Sequence, residues 1–311
     1  MNAAHIAVLH DEVIDGLAIK PDGRYVDGTY GRGGHARSIL AALGERGRLI
    51  VMDRDPQAIA DARAALGSDD RVTIIHDDYA NLPGQIAALE LREQIDGVLL
   101  DLGVSSPQLD DARRGFSFQQ NGPLDMRMNP GQGQSAADWL AQAGEAEIAR
   151  VLWEYGEEKH SRRIARRIVE TRQAKPLRDT SSLARLIGDI VPQPKNKTHP
   201  ATRSFQAIRI HVNQELAQLQ RLLEDIYDIL RIGGRLLVIS FHSLEDRIVK
   251  RFFKAQSSPR KVPKGLPLRN AELAAGIRLT LIGKAIRAGA RELAANPRAR
   301  SAVLRIAERA A

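Results

Sequence analysis

The sequence of 311 residues contains no cysteine. That one absence excludes disulfide frameworks, thiolate zinc sites, iron–sulfur clusters and cysteine nucleophiles. Aromatic residues make up 4% of the chain, too few for a broad stacking platform. Trp139, Trp153, Phe116 and Phe118 are therefore expected to be core or loop packing. Long hydrophobic runs are missing too. Stretches such as Leu236–Ile239 are of strand length, well short of the roughly 18 apolar residues of a membrane-crossing helix. No basic segment followed by an apolar block opens the chain, so no secretory signal is expected and a cytoplasmic location is. The eight histidines show no His-x-x-x-His or comparable spacing, and no metal is expected.

What is present suits one large or two modest globular domains: 43% hydrophobic residues and a mean hydropathy of −0.30. The formal net charge of +8 hides an asymmetry. Residues 1–149 hold 13 basic and 23 acidic side chains, net −10, and residues 205–246 are at −2. Residues 150–204 are at +7 and residues 247–311 at +13. Two basic blocks beside acidic segments are the footprint of a polyanion binder, although arginine-rich solvated helix faces give the same composition.

The first hundred residues alternate strand and helix patterns. Tyr25–Asp27, Leu49–Asp53, Val72–Ile75 and Gly97–Asp101 read as buried strands. Helices carrying Ala36, Ile39, Leu40 and Leu43, then Ala58, Ile59, Ala62 and Leu66, fall between them. Such βαβ units predict a parallel sheet covered on both faces. From Ser105 to Arg203 no strand-like run occurs. Within it, Ser161–Arg172 sets Ile164, Ala165, Ile168 and Val169 on one helical face and Arg162, Arg163, Arg166 and Arg167 on the other. The alternation then resumes with an amphipathic helix from Leu216 to Leu230, ended by Gly233–Gly234. A fifth strand, Arg235–Ser240, follows, and two weaker ones lie at Ile277–Ile282 and Ala302–Ile306. The reading is an α/β domain of residues 1–108 and 205–311, interrupted by an all-helical insertion of residues 109–204.

The first strand runs into Gly28-Thr29-Tyr30-Gly31-Arg32-Gly33-Gly34. A glycine turn between strand and helix brings backbone N–H groups and a helix dipole close to a ligand. Asp53 stands 22 residues after Gly31, at a strand end, where it can accept hydrogen bonds from ribose hydroxyls. A nucleoside-containing cofactor follows. Gly31–Ala36 also fits the degenerate dinucleotide pattern G-x-G-x-x-A, which keeps a nicotinamide enzyme open. Asp27 and Asp101, at the ends of strands one and four, would repel a pyrophosphate and attract a ligand bearing a sulfonium and an amine. The string D-x-T-x-G-x-G-G-H with strand-end acids resembles S-adenosylmethionine-dependent methyltransferases of Rossmann-like fold.

Longer strings narrow the resemblance: YVDGTYGRGGH (Tyr25–His35), GVLLDLGVSSPQL (Gly97–Leu109) and RGFSFQQNGPLDMRM (Arg114–Met128). To these add HPATRSFQAIRIHV (His199–Val212), SFHSLEDRIVK (Ser240–Lys250) and NPRARSAVLRIAE (Asn296–Glu308). Along essentially its whole length the chain resembles the bacterial ribosomal RNA small subunit methyltransferase H (MraW) family. The resemblance implies methyl transfer from S-adenosylmethionine to N4 of a cytidine in the decoding region of 16S ribosomal RNA. It implies a class I methyltransferase domain with a helical insertion, and cofactor contacts from Gly31, Gly33, Gly34, His35, Asp53, Tyr79, Asp101 and Gln108. Many members carry Phe where this chain has Tyr79, and either ring could lie against adenine.

N4 methylation needs no cysteine, unlike methylation at C5 of cytosine. Amino-group methyltransferases commonly place an Asp/Asn/Ser-Pro-Pro-aromatic string after strand four; only Ser105-Ser106-Pro107-Gln108 stands here. Asp101, Ser105, Ser106 and His242 are the candidate catalytic residues, with Asp125 and His242 candidates for the cytosine pocket. Each has a structural alternative: helix capping for the serines, an Asx turn for Asp125, and a structural hydrogen bond for His242. His199 reads as a loop anchor. Candidate RNA contacts are Arg162, Arg163, Arg166, Arg167, Lys195, Lys197 and Arg203 in the insertion. Arg247, Lys250, Arg251, Lys254, Arg260, Lys261 and Lys264 add to them. The expected partner is 16S ribosomal RNA within the small subunit, and a second copy of the chain, as a homodimer, is a further candidate. A ribosome-binding assembly factor with a vestigial pocket, or a methyltransferase on another nucleic acid, is the alternative reading.

Overall fold

The structure, a computed structural model, describes residues 7–193, 199–259 and 276–310. Its residues divide into two compact units. One holds the chain through Gly103 and again from Leu216; the other spans Val104–Glu215. The expected boundaries at 108/109 and 204/205 would cut through two helices, Ser106–Asp110 and Thr202–Asn213, each of which the units keep whole.

The first unit is built on β1 (Arg24–Asp27), β2 (Arg48–Asp53), β3 (Val72–His76), β4 (Ile95–Asp101) and β5 (Leu230–Ser240), with β6 (Leu279–Leu281), β7 (Ile286–Arg287) and β8 (Val303–Arg309). The strand order is β3-β2-β1-β4-β5-β8-β6, with β7 also on β8. β1 to β5 pair in parallel, whereas β8 runs antiparallel to β5, β6 and β7. Alternation of side chains splits the strands between two cores. Tyr25, Leu49, Val51, Leu99, Leu237 and Ile239 enter one, with α1 (His10–Leu17), α2 (Gly34–Ala42) and α3 (Pro56–Leu66). Val26, Ile50, Met52, Val98, Leu100, Leu236 and Val238 enter the other, with α4 (Leu82–Ala88), α11 (Glu215–Glu224) and α12 (Ser243–Gln256). Burial on both faces is why these strands read as unbroken apolar runs.

The expected helix through Leu230 is shorter. α11 ends at Glu224, a 3₁₀ turn covers Ile226–Asp228, and β5 begins at Leu230. Gly233 and Gly234 lie inside β5, where the register slips: Ile95 pairs with Leu230, and Gly97 with Arg235. Gly233 has φ +77°, and a Cβ on Gly234 would stand 2.7 Å from the Ile95 carbonyl oxygen. The glycines permit a bulge rather than end a helix.

The second unit packs α6 (Ala136–Gln142), α7 (Glu145–Gly156), α8 (Ser161–Ala174), α9 (Thr180–Gly188) and α10 (Thr202–Asn213) around its own core, which includes Trp139, Leu152, Ile168 and Ile208. The short α5 (Ser106–Asp110) opens it. Most of its polar interior is paired; Ser204 Oγ is buried without a partner among the described residues. Buried Asn213 donates to the Met126 and Arg209 carbonyls at 2.7 and 2.9 Å and accepts from the Met128 N–H at 2.8 Å. Trp139 Nε1 donates to Glu147 at 3.1 Å. Expected core aromatics Trp139 and Phe116 are 6% and 7% exposed, but Trp153 is 59% exposed, which overturns its assignment to packing. α7 turns Ile148, Val151 and Leu152 inward and leaves Trp153 outside.

Candidate active site

The chain leaves β1 at Asp27 and is held at once to the ends of both neighbouring strands. Gly28 N–H donates to the Leu99 carbonyl and Tyr30 N–H to that of Met52, both at 2.9 Å. The Asp101 N–H donates to Thr29 Oγ1 at 2.6 Å, and the Gly31 N–H to Asp53 Oδ2 at 2.8 Å. The glycine turn thus gathers the acids at the ends of β1, β2 and β4. Gly33, the N-cap of α2, has φ +67°, and a Cβ there would stand 2.6 Å from the Tyr30 ring. At Gly28 a Cβ would come within 2.8 Å of Leu100 and 3.7 Å of Tyr79. Gly28 and Gly33 therefore have no room for side chains, and α2 begins without a side-chain cap on its first N–H groups.

Asp27 is 1% exposed and accepts the Thr29 N–H at 3.1 Å. Burial pushes its carboxyl up to about 7; His35 and the Thr29 N–H oppose the rise, while Asp101 and Asp53 add to it. Burial likewise raises Asp53 to about 6, against N–H bonds from Asp55 and Gly31. His35 is 5% exposed, with Nε2 at 3.7 Å from Asp101 Oδ2. Burial by itself would lower this imidazole, but Asp101, Asp27 and Glu292 outweigh it and the net shift is upward. Neither ring nitrogen of His35, nor Asp101 Oδ1, meets a hydrogen-bond partner among the described residues. Such buried polar atoms are costly, and their clustering at strand ends marks a ligand site.

Gly31, Gly33, Gly34, His35, Asp53, Tyr79 and Asp101 all lie within this unit. His242 is on it too, just beyond β5, which pairs with β4. It is the N-cap of α12: Nδ1 accepts the Glu245 N–H at 3.4 Å, and Glu245 reaches back to the Phe241 N–H at 2.8 Å. The remaining candidates lie in the helical unit. Ser105 and Gln108 form a capping box at the start of α5, the Gln108 side chain accepting the Ser105 N–H at 2.9 Å, and Ser106 is the first residue of that helix. Asp125 makes an Asx turn with the Arg127 N–H and a two-pronged pair with the Arg127 guanidinium at 2.8 and 2.7 Å. His199 accepts the Ala201 N–H and packs against the Phe118 ring, as an anchor does.

Arg162, Arg163, Arg166 and Arg167 are exposed along α8. Arg166 and Arg167 have only long pairs, with Glu145 at 3.8 Å and Glu170 at 3.7 Å, weak in water. Arg203 is exposed at the start of α10, and Arg247, Lys250, Arg251 and Lys254 along α12. Lys195, Lys197, Arg260, Lys261 and Lys264 lie outside the described residues. Sequence reasoning used Asp27, directly before the glycines, to choose the kind of ligand but did not count it among the contact residues. Thr29 and His10 it missed; the His10 ring stacks on His35 with centroids 6.1 Å apart, and no local pattern announces it.

Comparison with known proteins decides the family. The family model described as the MraW methylase family matches residues 2–310. The chain belongs to the MraW methylase family. Ribosomal RNA small subunit methyltransferase H of Thioalkalivibrio sulfidiphilus is 58% identical over 308 residues, covering 99% of this chain and 98% of that one. The protein of the same name from Xanthomonas euvesicatoria is 57% identical, covering 99% and 89%. A crystal structure of an rRNA methylase from Streptococcus thermophilus aligns at 14% identity and a TM-score of 0.40, covering 98% of this chain and 99% of that one. The fold assignment rests on the strand order and not on that likeness. This MraW-family chain is a methyltransferase whose cofactor is S-adenosylmethionine. The site fits that group: strand-end carboxylates suit a ligand with two cationic centres, and the start of α2, which has no side-chain cap, leaves its first backbone N–H groups open to it.

Proposed function

We propose that the chain methylates N4 of a cytidine in the decoding region of 16S ribosomal RNA and works in the cytoplasm. The observation that carries the reading is the set of buried strand-end acids around a glycine turn, in a chain 58% identical to a relative named for small-subunit ribosomal RNA methylation. Among the described residues, no helix is long and apolar enough to cross a membrane.

Asp27 would face the cofactor's cationic amino acid end, the Gly33–Gly34 start of α2 its carboxylate, Asp53 its ribose and Tyr79 its base. The cofactor supplies an electrophilic methyl group when bound. The cytosine amine is a weak nucleophile because its lone pair is delocalised into the ring. The protein must therefore hold the amine in line and accept hydrogen bonds from its N–H groups as charge develops. Asp101 Oδ1, buried and without a partner among the described residues, is the acceptor proposed for that task. His35 lies beside it, with Nε2 at 3.7 Å from Asp101 Oδ2. Ser105, Ser106 and His242 then hold backbone in place through their caps.

The test uses unmethylated small ribosomal subunits and methyl-labelled S-adenosylmethionine, with nucleoside mass spectrometry of the RNA. Label in N4-methylcytidine is the expected result. Label on another base would keep the cofactor and overturn the target. Absence of label with cofactor still bound would favour an assembly factor.

A further inference from the structure

We propose that Trp153 is a stacking anchor for an unpaired base of the RNA substrate, set beside a cationic corner of the helical unit. The proposal rests on the RNA reading above and adds a contact away from the methyl-transfer chemistry.

The chain has two tryptophans, and they differ sharply. Trp139 is 6% exposed, bonded to Glu147 and packed on the His211 ring. Trp153 stands in the last turn of α7 with 59% of its surface in water. A single exposed apolar side chain needs no explanation by itself; its surroundings supply one here. The Glu157 N–H closes α7 on the Trp153 carbonyl at 3.0 Å, and Arg203 reaches the Glu157 carbonyl at 3.4 Å. A Cβ on Gly156 would stand 2.7 Å from the Arg203 carbonyl oxygen, so the start of α10 presses on the end of α7. Lys159 lies in the turn that follows, and Arg162 and Arg163 in the first turn of α8. All four cations are exposed, and none forms an ion pair among the described residues.

The nearby acids do not cancel this charge. Glu154 is engaged by Arg150 at 2.9 Å, Glu158 is buried and accepts the His160 N–H, and Glu157 is the opposing charge on the exposed rim. An exposed indole with exposed cationic side chains in the neighbouring turns matches what each nucleotide carries, a π face and a phosphate. An acidic protein surface would satisfy the cations but not the ring.

The test is binding of a short oligoadenylate, followed by tryptophan emission and by titration at several salt concentrations. Addition of the oligomer should quench the wild-type emission, and Trp153→Phe, which keeps Trp139 as a reporter of the fold, should lose that quenching. Trp153→Ala should bind the oligomer roughly tenfold more weakly, and Trp153→Phe should stay within about threefold of wild type. The salt slope should be unchanged in both, because no phosphate contact is removed. Arg162→Gln with Arg163→Gln should instead lower the slope by about 1.4. Inorganic polyphosphate, which has charge but no bases, should bind wild type and Trp153→Ala alike.

Equal oligoadenylate binding by wild type and Trp153→Ala would overturn the proposal. So would emission unmoved by RNA, which would leave the indole to a protein partner. Oligomer binding needs no methyl transfer, so the two readings fail separately. Quenching without label in N4-methylcytidine would break the function alone, and label without quenching would break the stacking anchor alone.

Discussion

The sheet unit and the helical unit differ in where buried polar groups go unpaired. In the helical unit the polar clusters are matched, with Ser204 Oγ an exception: Asn213 meets three backbone groups, and Arg209 grips Glu215 through two bonds of 2.8 Å. At the strand ends of the sheet unit, His35 and Asp101 stand 3.7 Å apart with bonding capacity unspent, beside the buried carboxyl of Asp27. A matched interior specifies a shape, whereas an unmatched one is kept for something that arrives later. The difference separates a part that holds from a part that reacts.

The largest way to break the comparison is pH. Asp27 binds its proton more tightly folded than unfolded. The stability it contributes is therefore complete below about pH 4 and lost as pH rises through about 7. His35, also shifted upward, adds a loss in the same direction above its ordinary range. Urea titrations across this window should show stability falling by at most about 4 kcal/mol, with the slope flattened in Asp27→Asn. Cofactor affinity, read by calorimetry, should move the other way and tighten as Asp27 ionises. A flat stability profile would mean that the acids are relaxed, like those of the helical unit.

Next comes Asp101→Asn. Turnover should fall about 10²- to 10³-fold, or about 3–4 kcal/mol of barrier, while melting and cofactor Kd change little. Lost cofactor binding would assign Asp101 to cofactor placement instead. The reciprocal case in the helical unit is Asn213→Ala, which strands backbone groups around Met126 and Met128. Thermal denaturation should show a loss of about 2 kcal/mol, with cofactor binding untouched. The smallest structural effect belongs to Arg162, Arg163, Arg166 and Arg167 changed together to Glu. Stability should stay within about 0.5 kcal/mol for each site, yet KM for RNA should rise roughly tenfold and cofactor Kd should not. Unchanged KM would remove α8 from the RNA surface.

The sheet was legible because its inner strands are buried on both faces, so Leu49–Asp53 and Gly97–Asp101 stand out as apolar runs ending in an acid. The glycine turn was legible because steric demand leaves residue type little choice at Gly33. Gly233–Gly234 misled for the same reason. A glycine pair after an amphipathic stretch looks alike whether it stops a helix or bulges a strand, and only the register against Ile95 tells them apart. The His10–His35 stack joins residues far apart in sequence, and nothing local encodes it. Trp153 was misjudged from composition, which is blind to helical phase; its place next to Val151 and Leu152 on α7 would have turned it outward.

The place of β8 in the sheet has a temporal meaning. It is the last of the strands to be synthesised, yet it lies between β5 and β6 and also carries β7. During translation β1 to β5 can align while β6 and β7 wait, because the strand that joins them is still inside the ribosome. Tertiary closure is thus deferred until β8 itself has emerged. A nascent chain stalled before Val303 would expose the free edge of β5, a row of unpaired backbone groups open to other strands.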